Sequence, residues 1–253
     1  MTNAQKARET REKVAAMRAE AARREARARN TRIVAVVAAV LAVVVAAGII
    51  IQSARHDQQA ASSPPRNLNG GSGIVVGNAD APVTVLFYED FQCPICKQAH
   101  QANDAQLDQW VKAGTVKIQY QPIAFLDRSS TDEYSTRALN AAAAVIDLHP
   151  AGFERFQQSL YGNQPAENGP GLTDDQLIQY AVAAGAPKDQ VTTDVRTRRF
   201  AGWVKDVTDE SSKLGVNGTP TIKVNGTVLT DWQPDKLKAA VEAALKGQVP
   251  AGS

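Results

Sequence analysis

The sequence predicts an α/β domain with an inserted run of helices, preceded by one membrane-crossing helix. Three observations carry that reading. Strand, helix and strand patterns succeed one another over Val83–Tyr88, Lys97–Val111 and Thr115–Pro122, an order that implies two parallel strands joined by a right-handed crossover. Helical patterns then fill the stretch from about 128 to 214, before a hairpin signal at Asn225-Gly226 set between short β-prone runs. Ahead of all this, Ile33–Ile51 is 19 residues without a charged or polar side chain.

Residues 1–32 hold ten Lys/Arg against four Asp/Glu. Their composition favours helix but lacks an apolar stripe, so the segment reads as a solvated helix or tail. As a helix, residues 33–51 span about 28 Å, close to the hydrocarbon thickness of a bilayer. The long charged stretch in front and the unbroken apolar run argue for an uncleaved anchor over a signal peptide. The basic excess predicts a single-pass protein of the cell membrane, its N-terminus cytoplasmic and the rest outside. Residues 52–73, with Ser62-Ser63-Pro64-Pro65 and Asn69-Gly70-Gly71-Ser72-Gly73, read as a flexible linker. Residues 74–253 are left as the globular domain.

From residue 73 onward sixteen Lys/Arg face twenty-one Asp/Glu, which is not the balance of a nucleic-acid binder. Two cysteines are too few to staple a secreted fold, so the core holds by packing. No pattern indicates a bound organic cofactor.

The domain opens with Ile74-Val75-Val76 as a first strand and Asn78–Pro82 as a turn. Val83–Tyr88 reads as a buried strand, Lys97–Val111 as a helix and Thr115–Pro122 as a second long strand. Ser130 with Glu133 reads as a capping box for a helix through Leu148, and Thr173 with Gln176 as another. Phe153, Phe156, Leu160 and Tyr161 mark a short helix between them. Gly185 is a stop. One long helix is expected from about Lys188 to Leu214, with Phe200 and Trp203 in the core. Thr221–Val224 and Thr227–Leu229 form the closing hairpin, and Pro234 starts a last helix that ends before Gly247.

The chemistry centres on Cys93-Pro94-Ile95-Cys96, the only cysteines of the chain. At a strand-to-helix junction, backbone N–H groups and the helix dipole favour an anion, and the thiolate is the nucleophile of sulfur exchange. Cys93 is therefore the expected attacking thiol. Cys96, one helical turn on, is placed to attack a mixed disulfide formed on Cys93. A structural staple is a poor alternative, since so short a loop removes little chain entropy. A metal site is the other, with His100 as a third ligand beside Cys93 and Cys96, though four ligands are usual and no second cysteine pair exists.

Phe91-Gln92-Cys93-Pro94-Ile95-Cys96 after a strand, and Gly218-Thr219-Pro220-Thr221 before the closing hairpin, resemble the thioredoxin superfamily. With the helical insertion between them, they resemble its membrane-anchored DsbA-like thiol–disulfide oxidoreductases over roughly Ile74 to Lys246. The resemblance implies a thioredoxin-like fold, a cis peptide at Thr219–Pro220, and a substrate-binding edge at Thr219 and Pro220 beside the dithiol. It further implies exported cysteine-containing proteins as substrates and a quinone-coupled membrane oxidase that recharges the disulfide. One departure stands out. The residue six before the first cysteine is often a buried acid in this family, and here it is Phe87. Glu89 and Asp90 are the acids near the site, with proton transfer and a solvated or capping role as their two readings. Ile95 brings no charge or hydrogen bond to the thiolate, which points to a less oxidising pair than one with an imidazole there. The expected activity is an oxidase assisting disulfide formation outside the cytoplasm. A reductase or isomerase on the same fold, a metal-binding module and a noncatalytic scaffold are the alternatives.

Overall fold

A computed structural model describes residues 63–69 and 71–247. The basic segment and the apolar run at 33–51 lie outside the described residues. Among the described residues no helix is long and apolar enough to cross a membrane.

The sheet runs in the order β1 (Ile74–Val76), β3 (Val116–Pro122), β2 (Val83–Glu89), β4 (Thr221–Val224), β5 (Thr227–Val228). Strand β2 is central. It pairs parallel with β3, Val83 opposite Val116 through Glu89 opposite Pro122, and antiparallel with β4, Phe87 opposite Ile222. Helix α1 (Pro94–Lys112) makes the crossover between β2 and β3, as the strand–helix–strand pattern predicts. Val83, Val85 and Phe87 alternate into the core, the two-residue period of a strand. Asn225 and Gly226 both take positive φ, 45° and 87°, the geometry a two-residue hairpin demands.

Between β3 and β4 lie α2 (Tyr134–Leu148), α3 (Phe153–Gly162), α4 (Asp174–Ala183), α5 (Lys188–Arg196) and α6 (Ala201–Lys213); α7 (Pro234–Leu245) follows the hairpin and packs on β2 and β4. Helix α2 is the hub, touching each of α3 to α6. Its fully buried Ala138, Ala141, Ala142, Ala143 and Ala144 let neighbouring helices approach from several sides. The Thr173–Gln176 capping box is present at the start of α4, and Gly185, at φ 106°, follows its end.

Two expectations fail. The helix expected from Lys188 to Leu214 is two helices, broken where Arg198 takes φ 51°. Buried Asn140 of α2 fills the break: its Nδ2 donates to the Asp194 carbonyl at 3.2 Å, and its Oδ1 accepts from the Phe200 N–H at 2.8 Å. The Asp194 carbonyl also accepts the Arg199 N–H at 3.0 Å, and Asn140 gives the Phe200 N–H the acceptor that an unbroken helix would have supplied. The Ser130–Glu133 capping box is also absent. Helix α2 starts at Tyr134, after Glu133 in a left-handed conformation. Ser130 Oγ does accept the Tyr134 N–H at 2.9 Å, but Glu133 turns away to pair with Arg198 at 2.6 Å.

Part of the stretch read as linker is packed on the domain. Arg66 Nε and Nη2 reach both carboxylate oxygens of Asp147. Asn67 donates to the Asp147 carbonyl at 2.8 Å, and Leu68 packs against the core.

Candidate active site

Strand β2 delivers the chain to the C-terminal edge of the sheet, where a turn leads into α1. The Cys93 N–H donates to the Asp90 carbonyl at 2.9 Å, and the Gln92 N–H to Asp90 Oδ1 at 2.9 Å. Cys93 is the N-cap of α1, with Pro94 following at the first helical position. The Cys96 N–H, an orphan donor of the first turn, points at Cys93 Sγ at 3.4 Å. From across the sheet, the Thr219 carbonyl oxygen lies 3.2 Å from Cys93 Sγ, and the Thr219–Pro220 peptide is cis. The two sequence motifs thus meet, although 126 residues separate their contacting members.

Both thiols are free and buried, yet their acidities diverge. A hydrogen bond from the Cys96 thiol, helped by the Thr219 side chain and the N–H groups of Cys96 and Ile95, outweighs burial and brings Cys93 down to about 6. Burial, reinforced by the hydrogen bond to Cys93 and the charges of Cys93 and Glu89, pushes Cys96 well above the ordinary thiol range. A groove of about 510 Å³ lies over Cys93, walled by Ile95, Phe125, Leu126, Val216 and Thr219.

Glu89 and Asp90, adjacent in sequence, point to different elements. Neither is solvated: both are fully buried. Asp90 accepts from Ser135 Oγ of α2 at 2.7 Å and from the Leu126 N–H at 2.9 Å, besides the Gln92 N–H. Burial pushes it up to about 7 against those hydrogen bonds, and the Cys93 charge pushes the same way. Glu89 accepts from Gln157 Nε2 of α3 at 2.6 Å and meets His100 Nε2 at 2.6 Å. Phe87, at the position where the family often carries its acid, stacks on the His100 ring at 5.6 Å.

His100 is no metal ligand here. Its Nε2 faces Glu89 and its Nδ1 faces Asp104 at 3.0 Å, so neither nitrogen is turned to the sulfurs. Among the described residues no group of three His, Cys, Asp or Glu side chains is placed to hold a metal.

Sequence reasoning missed Gln164, whose Nε2 donates to the carbonyls of Phe91 and Cys93 at 3.0 and 2.9 Å, and missed Ser135 and Gln157. Their one signal was weak: a polar residue beside or within apolar helical stretches. Gln164 and Ser135 grip the turn carrying Cys93, and Gln157 holds Glu89 at the end of β2.

A family model described as Thioredoxin matches residues 69–243. Disulfide bond formation protein D of Bacillus subtilis is 28% identical over 177 residues, spanning 69% of this chain and 78% of its own length. Among solved structures, oxidised BdbD from Bacillus subtilis superposes with a TM-score of 0.64 at 26% identity, covering 74% of this chain and 98% of that one. Reduced DsbA from Mycobacterium tuberculosis does so with a TM-score of 0.60 at 29% identity, covering 71% and 95%.

Proposed function

We propose, from the premise that this chain belongs to the thioredoxin family, that its Cys93–Cys96 pair exchanges disulfides with exported cysteine-containing proteins and works as an oxidase. The chain is a protein thiol–disulfide oxidoreductase of the DsbA/BdbD type, acting in disulfide bond formation. The observation that carries the residue roles is the place of Cys93 Sγ at the N-cap of α1, facing the Cys96 N–H and the Thr219 carbonyl at the groove, with Cys96 buried one turn behind it.

In the oxidised enzyme a substrate thiolate attacks Cys93 Sγ, the sulfur at the groove, and Cys96 leaves. A second substrate thiolate then attacks the mixed disulfide at the substrate sulfur. The substrate departs as a disulfide, and Cys93 leaves as a thiolate that the helix terminus and its donors already stabilise. Thr219 and Pro220 form the edge beside which the substrate chain lies. Glu89 is the acid that hands protons to and from buried Cys96, and Asp90 holds the turn. Residues 33–51 anchor the chain in the cell membrane with the domain outside, where a disulfide product persists. A quinone-coupled membrane oxidase recharges the pair.

A thiol lowered from 9.0 to about 6 favours the folded reduced state by about 1.4 kcal/mol at pH 7, or about 30 mV for a two-electron couple. The sign is that of an oxidant. The size is a fraction of the about 150 mV between strong oxidases and thioredoxin-like reductants. The deciding experiment is therefore the reduction potential of the full-length chain in glutathione buffers. A value on the oxidising side of the range, toward about −120 mV, supports the oxidase, and one near about −270 mV makes the protein a reductase.

A further inference from the structure

The dithiol needs more than one way to the solvent. Cys96 is 1% exposed, and a substrate joined to Cys93 closes the groove above it. Yet each exchange changes the protonation of Cys96. A second opening exists. A cavity of about 150 Å³, sharing no residue with the Cys93 groove, is lined by Lys97, His100, Asp104, Gln157 and Tyr161 among others. Side chains with polar groups line it, and it is large enough for water. His100 and Tyr161 are its buried titratable groups, their rings 4.8 Å apart. From the cavity a hydrogen-bonded chain runs inward: Asp104 Oδ1 to His100 Nδ1 at 3.0 Å, then His100 Nε2 to Glu89 Oε2 at 2.6 Å.

We propose that Asp104 and His100 form the rear route by which the proton of Cys96 is exchanged with water while substrate occupies the front. The proposal rests on the reading of Glu89 as the proton partner of Cys96, and His100 acts through Glu89 rather than on the sulfurs. When a substrate thiolate attacks Cys93, a new S–S bond forms there. The Cys93–Cys96 bond breaks with its electron pair on the Cys96 sulfur. One proton enters from water at Asp104, passes across His100 to Glu89, and ends on Cys96 as a thiol. In the reverse reaction the same proton leaves by the same path.

The groups facing His100 fit a proton carrier. Glu89 comes from β2, Asp104 and Lys97 from its own helix, Gln157 and Tyr161 from α3, and Tyr120 from β3; Glu154 and Asp108 lie beyond Asp104 along the next depression. Burial alone would lower the imidazole, but the charges and hydrogen bonds of Glu89 and Asp104 outweigh it and hold it at about 10. It therefore carries a proton at neutral pH, where Cys96, whose thiol form is also favoured, takes one up.

The test uses the oxidised full-length chain and an excess of a peptide with one cysteine. Formation of the mixed disulfide on Cys93 is followed from pH 5 to 9 and corrected for the peptide's thiolate fraction. In the parent the corrected rate is expected to be nearly flat. In Asp104→Asn and His100→Gln it should fall as pH rises, by about tenfold or more at the alkaline end, with a larger solvent deuterium effect than the parent. Parent-like profiles in both variants overturn the proposal. So does an equal slowing of His100→Gln at every pH with Asp104→Asn unchanged, the mark of a purely structural residue. Should His100→Gln fail to fold, Asp104→Asn decides alone, since Asp104 is 40% exposed. A parent chain that forms no mixed disulfide on Cys93 instead rejects the exchange reading itself.

Discussion

The two sides of the dithiol are built from opposite materials. At the front, Cys93 sits at a helix N-terminus among hydrogen-bond donors and opens on a groove lined in part by apolar side chains. At the rear, Glu89, His100 and Asp104 form a line of charge running to a small cavity lined by polar side chains, and the charge of Glu89 bears on Cys96. Both cysteines are little exposed, Cys93 at 5% and Cys96 at 1%. What separates them is whether the groups turned toward each offset that burial. Donors stabilise a thiolate at Cys93, whereas burial and nearby negative charge disfavour one at Cys96. A single helical turn is enough to give one thiol the character of a nucleophile and leaving group and the other that of a protonated reserve.

The sharpest way to break this comparison is to remove one sulfur at a time. Cys93→Ser should abolish disulfide exchange with any substrate. Cys96→Ser should keep the first attack and accumulate mixed disulfides on Cys93, seen as thiol-sensitive adducts on a non-reducing gel. Adducts on Cys96 in the Cys93→Ser variant would show that the two sides are interchangeable.

Next in size is the rear charge itself. Glu89→Ala leaves the buried His100 cation without its inner partner and Gln157 without its acceptor. Breaking one side of a buried pair costs about 3–5 kcal/mol, read as a drop in the urea midpoint. Asp104→Asn, at the exposed end of the same line, should cost less than about 1 kcal/mol. Equal losses would mean that the cluster is not graded from buried to exposed.

Much of the front was legible in the sequence and little of the rear. A strand ending at a Cys-Pro-Ile-Cys helix start is a local pattern, so Cys93 and Cys96 could be placed from neighbours in the chain; Thr219 and Pro220 were set beside them only by the resemblance to the thioredoxin superfamily. The fold followed in the same way from β2, α1, β3 and the Asn225-Gly226 turn. Glu89 and Asp90 were singled out, but nothing local tells that one faces His100 and the other Ser135, because those partners arrive from α1 and α2. His100 entered the reading only as a possible third ligand of a metal site, because its spacing from Cys96 places both on one helix. Only the approach of Glu89 and Asp104 to its two nitrogens excludes that. The break between α5 and α6 was invisible for the same reason: it depends on Asn140, 54 residues before Asp194.

The front can be sharpened through Asp90. Its carboxyl, raised to about 7, is more protonated folded than unfolded between about pH 4 and 7, so it lowers stability as pH rises through that window. Asp90→Asn removes this slope and presents an amide that cannot accept from all three donors. We expect a deficit of about 1–3 kcal/mol at pH 5, measured by urea denaturation, shrinking toward pH 8, where the parent carries a buried charge and the variant does not. A deficit that grows with pH would mean that Asp90 is held ionised and stabilising, and the front would then contain a fixed negative charge beside its thiolate.

The smallest expected effect belongs to neither side and serves as their control. Helix α2 begins at Tyr134, next to the Ser135 that bonds Asp90, and carries Asp147 at its other end, where Arg66 is clamped. Asp147 is fully buried and held below its ordinary range, burial being outweighed by its hydrogen bonds from Arg66 and by the charges of Arg66 and Arg199. Arg66→Ala should therefore destabilise the domain only slightly, seen as a small drop in the urea midpoint, because the guanidinium is largely exposed and screened. Asp147 is favoured as the ion, so the stability it contributes is present at neutral pH and lost as pH falls through the carboxylate range, and the variant's deficit should narrow there. Thiolate absorbance should meanwhile titrate in the variant as in the parent. An altered Cys93 titration would mean that α2 transmits the state of the Arg66 clamp to the turn at Asp90, and that the split between the two sulfurs is set by the whole insertion rather than by the groups within reach of each.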